Sequence, residues 1–209
     1  MIGRGVLLEC LDHPQVERVL VVGRSAIEEN HPKLKQLLHK DFTDFRAVEG
    51  ELQGYDACYF CLGISAAGLK EEAYRRITYD YTLAAAKTLQ SLNPDMTFIY
   101  VSGQGTDSSE KGRMMWARVK GKTENDLMQV GFKKAIMFRP GAILPLRGIK
   151  SRTASYQFMY DYFTWLVKLI QVFAPNAITD TTRIGLAMIH AHERGKDRSV
   201  LAPKDINAL

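Results

Sequence analysis

The chain reads as an α/β protein: a doubly wound parallel sheet, Rossmann-like, with helices on both faces. Three observations predict it. Short β-branched runs alternate with longer stretches of helical periodicity. The runs are apolar at successive positions, as strands covered on both faces must be. Most of them stop at glycine or Pro-Gly, where a parallel sheet hands the chain to a loop.

In chain order, residues 5–11 give a first helix. Residues 18–23 (RVLVVG) are β-branched and stopped by glycine, so they form a strand. Residues 37–42 (LLHKDF) make a weaker strand, and 56–62 (DACYFCL) a stronger one that ends before Gly63. Residues 71–92 carry Ala73, Ile77, Ala84, Ala85 and Leu89 at helical spacing and stop at Asn93-Pro94. Strands at 96–102 (MTFIYVS) and 134–139 (KAIMFR) flank a helix at 113–130. A helix at 182–191 and a short strand at 199–202 close the chain. Residues 142–180 are less regular and follow the core strand at 134–139, where a substrate-covering region belongs.

The 209 residues suffice for one domain spanning 1–209, and the 46% apolar and 24% charged content is that of a globular protein. A net charge of +5 favours anionic ligands, but no basic run or nucleic-acid motif accompanies it. A small-molecule partner is therefore expected, with no nucleic acid, and a monomeric or homodimeric chain. Three cysteines make no disulfide framework. Cys58 and Cys61 stand three apart on a strand and point to opposite faces, so they cannot share a metal. Free cysteines and the lack of a signal sequence point to a reducing, cytoplasmic location. Residues 156–174 are rich in aromatic side chains, but Asp161 and Lys168 interrupt them. They read as a pocket-covering helix able to touch a membrane surface, without stable insertion.

A dinucleotide fold opens with a strand, then a glycine turn, then a helix whose amino end faces the pyrophosphate. Here MIGRGVLLECL supplies the end of the turn and the helix, and VLVVGR follows as a second strand would. The matches continue as VVGRS, Asp41-Phe42, CLG at 61–63, YVSG at 100–103, VKGKTE at 119–124 and RPG at 139–141. In this ordered set the chain resembles the atypical and extended short-chain dehydrogenase/reductases, the NAD-dependent epimerase/dehydratase-like group. It resembles more loosely the Tat-interacting-protein branch. In that family the first strand lies between the strands that here are 18–23 and 56–62. Its absence would leave two buried edges with unpaired backbone groups, each costing about 1–3 kcal/mol if dry. The sequence is therefore expected to start at an internal methionine of a longer protein.

The resemblance implies a nicotinamide cofactor. Ile2 and Gly3 match the end of the glycine turn. Gly23-Arg24-Ser25 carries no acidic residue where NAD would want one, so Arg24 and Ser25 are expected on the 2′-phosphate of NADP, with NAD the alternative. Asp41 and Phe42 would flank the adenine. Leu62 and Gly63 would line the cofactor, and Pro140-Gly141 the nicotinamide end.

In the family, Ser, Tyr and Lys share the chemistry: the tyrosine moves a proton at the substrate oxygen, and the lysine lowers its pKa and holds the ribose. Ser102 and Lys120 fit two of these positions, but Trp116 stands where the tyrosine belongs. An indole donates a hydrogen bond and does not titrate usefully. Tyr100, Tyr156 and Tyr160 are the phenols that could substitute. Two functions stay open. One is an oxidoreductase or epimerase acting on a small carbonyl or sugar nucleotide. The other is a non-catalytic NADP-binding sensor or partner-docking protein. No H-E-x-x-H, G-x-S-x-G or P-loop motif supports metal-dependent, serine or nucleotide hydrolysis.

Overall fold

A computed structural model describes residues 1–149, 178–194 and 200–209. The expected helix at 156–174, most of the 142–180 region, Tyr156 and Tyr160 lie outside them. The elements run α1 (Ile2–Asp12), β1 (Val19–Gly23), β2 (Leu34–Leu38), α2 (Glu49–Leu52) and β3 (Ala57–Phe60). Then come α3 (Glu71–Arg75), a π-helical turn (Arg76–Asp80), α4 (Tyr81–Leu92), β4 (Thr97–Val101), α5 (Met115–Leu127) and β5 (Lys134–Phe138). Next are β6 (Ala142–Leu144), β7 (Ile178–Asp180), α6 (Thr181–Arg194), β8 (Val200–Leu201) and α7 (Pro203–Ile206).

Every paired strand is parallel. The main sheet has the order β3-β4-β5-β8, and its register sets Ile99 beside Ile136 and Val101 beside Phe138. Among the described residues β1 pairs only with β2, and β6 with β7. The alternation of side chains divides the core in two. Ile99, Ile136 and Phe138 face α6, with Val6 and Cys10 of α1 in the same cluster. Phe98, Tyr100 and Met137 face the other way, with Leu83, Ala85 and Ala86 of α4 and Leu127 of α5. Helices on both faces of parallel strands are the predicted Rossmann-like arrangement. Cys61 packs on the first side and Cys58 on the second, as the strand period requires.

The boundaries differ in instructive places. The second strand is 34–38 rather than 37–42, because the chain turns at Asp41, whose Oδ1 accepts from the Thr43 N–H at 2.9 Å. The long 71–92 helix contains the π-helical turn, and the helix expected at 113–130 is shorter at both ends. The two short strands β6 and β7 had no periodic signal to announce them.

α1 is braced against α6 at glycines. A Cβ at Gly5 would sit 2.7 Å from the Cβ of Thr181, and one at Gly185 would sit 2.6 Å from the Cγ of Glu9. These small residues let the two helices approach closely, and they fix where the amino end of α1 lies.

β1 and β3 face each other without pairing. Their amino ends are tied by Arg18, which donates to the Gly54 carbonyl and lies 4.6 Å from the Tyr55 ring centroid. At the far end a Cβ on Gly3 would lie 3.3 Å from that of Cys61, so α1 begins against the carboxyl end of β3. Between the two strands runs a cavity of about 2000 Å³.

Candidate functional site

The cavity continues past the carboxyl ends of the strands, and five glycines line it there: Gly3, Gly23, Gly63, Gly103 and Gly141. Each has a local reason. Gly3 opens α1, whose first turn carries no acidic residue. Gly23 ends β1. Gly63, Gly103 and Gly141 each follow a strand of the main sheet within three residues. Gly103 has a φ of +141°, which favours glycine, and a Cβ at Gly63 would meet nothing within 4 Å. Backbone is thus laid open along one edge, the place where open α/β sheets bind ligands. An α-helix amino end in the same wall adds partial positive charge. The group that the sequence pattern implies, a dinucleotide with its diphosphate, fits this wall.

The other expected cofactor residues divide. Arg24, Phe42, Leu62 and Pro140 line the cavity with the glycines. Arg24 is exposed, and it makes no ion pair among the described residues. Phe42 is buried, edge-on to Phe45 with ring centroids 5.6 Å apart. Ile2 does not line the cavity; it packs with the core on the α6 side. Ser25 is exposed and outside the lining. Asp41 is turned to its own loop, accepting from the Thr43 N–H and, at 2.5 Å, from the Thr43 hydroxyl. Those two bonds hold its carboxyl below the usual carboxylate range.

The serine and the lysine are brought together, but not as the catalytic expectation requires. Ser102 is 4% exposed. Its hydroxyl donates to Glu124 Oε1 and lies 3.1 Å from the Phe138 carbonyl, so it faces the interior rather than the cavity. Glu124 is fully buried and clamped by Arg139, whose Nε donates to the two carboxylate oxygens at 3.0 and 3.1 Å. The Ser102 carbonyl in turn accepts from the Lys120 ammonium. The next residue, Gly103, takes the cavity wall: its Cβ position lies 3.9 Å from Lys120 Nζ. The position facing both lysine and cavity therefore carries no hydroxyl. Burial lowers the Lys120 pKa from 10.5 to about 8, with Glu124 opposing the shift.

Trp116 lies one turn before Lys120, as predicted, with its ring over Gly105; the Cη2 atom is 3.2 Å from that glycine's Cβ position. Tyr100 offers no substitute phenol. It is 1% exposed in the core on the α4 side, and burial raises its pKa. His190 Nδ1 lies 2.7 Å from the Leu209 carbonyl and His192 Nδ1 3.0 Å from the Thr97 hydroxyl, and His192 also lines the cavity. Gly103, Glu124 and Arg139 were missed as site residues. The first was legible as the residue after serine in YVSG, and Arg139 as the arginine of RPG. Glu124 announces itself only through its partners.

No protein-family model matches the chain. FMP52-2, mitochondrial, from Scheffersomyces stipitis is 30% identical over 131 residues, covering 61% of this chain and 56% of that protein. HTATIP2 from Rattus norvegicus is 27% identical over 145 residues, covering 68% and 58%. The chain thus spans a little over half the length of these two relatives. Among solved structures, Bordetella bronchiseptica WbmF in complex with NADH superposes with a TM-score of 0.69 at 15% identity, over 99% of this chain and 72% of that one. A UDP-galactose 4-epimerase superposes with a TM-score of 0.67 at 13% identity, over 97% and 72%. The chain has a Rossmann-like fold, parallel sheets with helices on both sides, as these solved structures do. In open α/β sheets of this kind ligands bind outside the carboxyl ends of the strands, which is where the glycine-lined edge lies.

One expectation is overturned. Several FMP52 relatives are named as mitochondrial proteins, against the cytoplasmic location inferred from the cysteines. Reduced cysteines report a reducing compartment and not which compartment it is.

Proposed function

We propose that the chain binds a nicotinamide dinucleotide, NADP(H) in preference to NAD(H), and that binding without turnover is its function. The observation that carries this is the row of five cavity-lining glycines beside the amino end of α1. Gly3 and the first turn of α1 would take the diphosphate. Arg24, with Ser25 beside it, would take a 2′-phosphate, since no carboxylate stands there to claim ribose hydroxyls. Phe42, Leu62 and Gly63 would line the adenosine side, and Pro140-Gly141 the nicotinamide side. Lys120 would reach the ribose past Gly103. When bound, such a cofactor supplies hydride transfer. Reduction of a carbonyl also needs a proton at oxygen. Trp116 cannot deliver one, the Ser102 hydroxyl is committed to Glu124, and Gly103 has no side chain.

A second reading rests on Lys120. Its ammonium, held near pKa 8, is itself a competent acid at neutral pH. In that reading the chain reduces or epimerises a small carbonyl or sugar-nucleotide substrate with lysine as proton donor.

Titration with NADPH and NADH tests both. The first reading expects saturable NADPH binding, at least tenfold weakened in Arg24→Glu with NADH little affected, and no NADPH consumption across a panel of carbonyls. Lys120-dependent consumption would replace it with the second reading. Absence of saturable binding by either nucleotide would sink both.

A further inference from the structure

A buried carboxylate wants a cation beside it, and Glu124 is set between two. It is fully buried on α5, one turn after Lys120. Arg139, directly after β5, grips both carboxylate oxygens: Nε donates at 3.0 and 3.1 Å, and Nη2 donates to Oε2. The Ser102 hydroxyl fills a further acceptor site on Oε1. The carbonyl of the same serine accepts from the Lys120 ammonium. Ser102 is fixed by its main chain as well, its N–H donating to the Phe138 carbonyl at 2.9 Å. Lys120 is therefore placed by backbone, and its charge is answered by Glu124.

The two cations are not equivalent. Arg139 stays charged at any ordinary pH, and its Nη2 also reaches the Ser108 hydroxyl at 2.5 Å. Lys120 has one hydrogen-bond partner among the described residues, the Ser102 carbonyl. It stands 3.9 Å from the Cβ position of Gly103 in the cavity wall. The other acidic groups around α5 are committed elsewhere. Asp107 takes the Ser109 N–H at 3.0 Å and the Gly112 N–H at 2.7 Å. Glu110 takes Asn125 at 2.8 Å, Asp126 takes Lys122 at 3.0 Å, and Glu71 takes Arg118 at 2.7 Å. Tyr100 of β4 lies near Glu124 but is kept neutral by burial. Glu124 is thus the carboxylate whose charge bears on Lys120.

We propose that Glu124 is a positioning residue for the cofactor, acting through Lys120. Its charge keeps the lysine an ammonium at the cavity wall, and Arg139 limits how much of that charge the lysine receives. The proposal rests on the reading of Lys120 as the group that holds the ribose. An ammonium brings three donors and a positive charge to ribose hydroxyls; a neutral amine brings no charge and fewer donors. Burial alone pushes a lysine toward the neutral form, and a nearby carboxylate pushes it back. Without Glu124, burial would act unopposed and the lysine would lose its proton near neutral pH. Without Arg139, Glu124 would answer Lys120 alone and hold that proton more firmly. The two substitutions therefore act in opposite directions.

The test is an NMR titration of the full chain without cofactor, following the Lys120 side chain and the Glu124 carboxyl carbon in isotope-labelled protein. In the unaltered protein the Glu124 carbon should move with the Lys120 midpoint, near pH 8. Glu124→Gln should lower that midpoint by about one pH unit, and Arg139→Gln should raise it by about as much. Loosened packing cannot imitate this pair, because water entering the site moves the midpoint up toward 10.5 in both variants. Should Glu124→Gln not fold, the carboxyl titration of the unaltered protein decides. NADPH is then titrated into the same samples. Glu124→Gln and the unaltered protein should bind it alike at pH 6 and differ about threefold at pH 7.5, the change in charged fraction when the midpoint falls from about 8 to about 7. A Glu124 carbon indifferent to Lys120, a midpoint that rises in Glu124→Gln, or one that does not rise in Arg139→Gln would each overturn the proposal. If NADPH does not bind while the titrations behave as stated, the cofactor reading alone falls and Glu124 stands as the counter-charge of Lys120.

Discussion

Lys120 gives the sharpest physical prediction. Its ammonium rests on the Ser102 carbonyl, and burial brings its pKa from 10.5 to about 8. Below about pH 8 the group is charged in the folded and unfolded states alike, so it adds no pH dependence while the folded state carries the whole cost of burying it. Between about 8 and 10.5 the folded protein has released the proton and the unfolded chain has kept it. The unfolded state then binds more protons, and stability rises with pH. A shift from 10.5 to about 8 is worth about 3 kcal/mol over that window. Replacing Lys120 by Met removes the titration and keeps the apolar stem. Urea unfolding at pH 7, 9 and 10 should show the native protein gaining up to ~3 kcal/mol on Lys120→Met as pH rises. Two stability curves that stay parallel through this window would refute the buried, depressed lysine.

Other outcomes follow from the same packing. A Cβ at Gly121 would stand 1.8 Å from the Asp107 carbonyl oxygen; Gly121→Ala should therefore cost about 3 kcal/mol or more in denaturant unfolding, as severe overpacking does. Glu124→Gln uncouples a fully buried carboxylate from Arg139 and should destabilise by about 3 kcal/mol, read as a fall in Tm of several degrees. Ser102→Ala should leave NADPH affinity within twofold, because the hydroxyl faces Glu124; a tenfold loss would return that hydroxyl to the cofactor site. The thiols of Cys10, Cys58 and Cys61 are each pushed up to about 12 by burial. Native protein at pH 7.5 should thus react with iodoacetamide far more slowly than unfolded protein, as mass spectrometry would count.

The layered α/β arrangement was legible because strands buried on both faces, such as TFIYV and KAIMF, announce themselves in composition alone. The glycines were legible for a related reason: a backbone that must lie open tolerates little else. Side-chain direction at a strand end was not legible. Whether Ser102 or Gly103 meets the cavity depends on Glu124, more than twenty positions away, and on Arg139 clamping it. Asp41 escaped for a local reason, a two-residue turn in which its carboxylate accepts from the Thr43 N–H and hydroxyl. β6 and β7 are three residues each, below the length at which alternation can be read.

The meeting of Gly5 with Thr181 and of Gly185 with Glu9 has a consequence for the glycine-lined edge. The opening turn of the chain is aimed by its final third, not by the residues that follow it directly. Damage to α6 should therefore displace the amino end of α1 and, because α6 also covers Ile99, Ile136 and Phe138, uncover one face of the main sheet. In this molecule the opening helix and the sheet beneath it lean on one and the same late helix, so they are lost together.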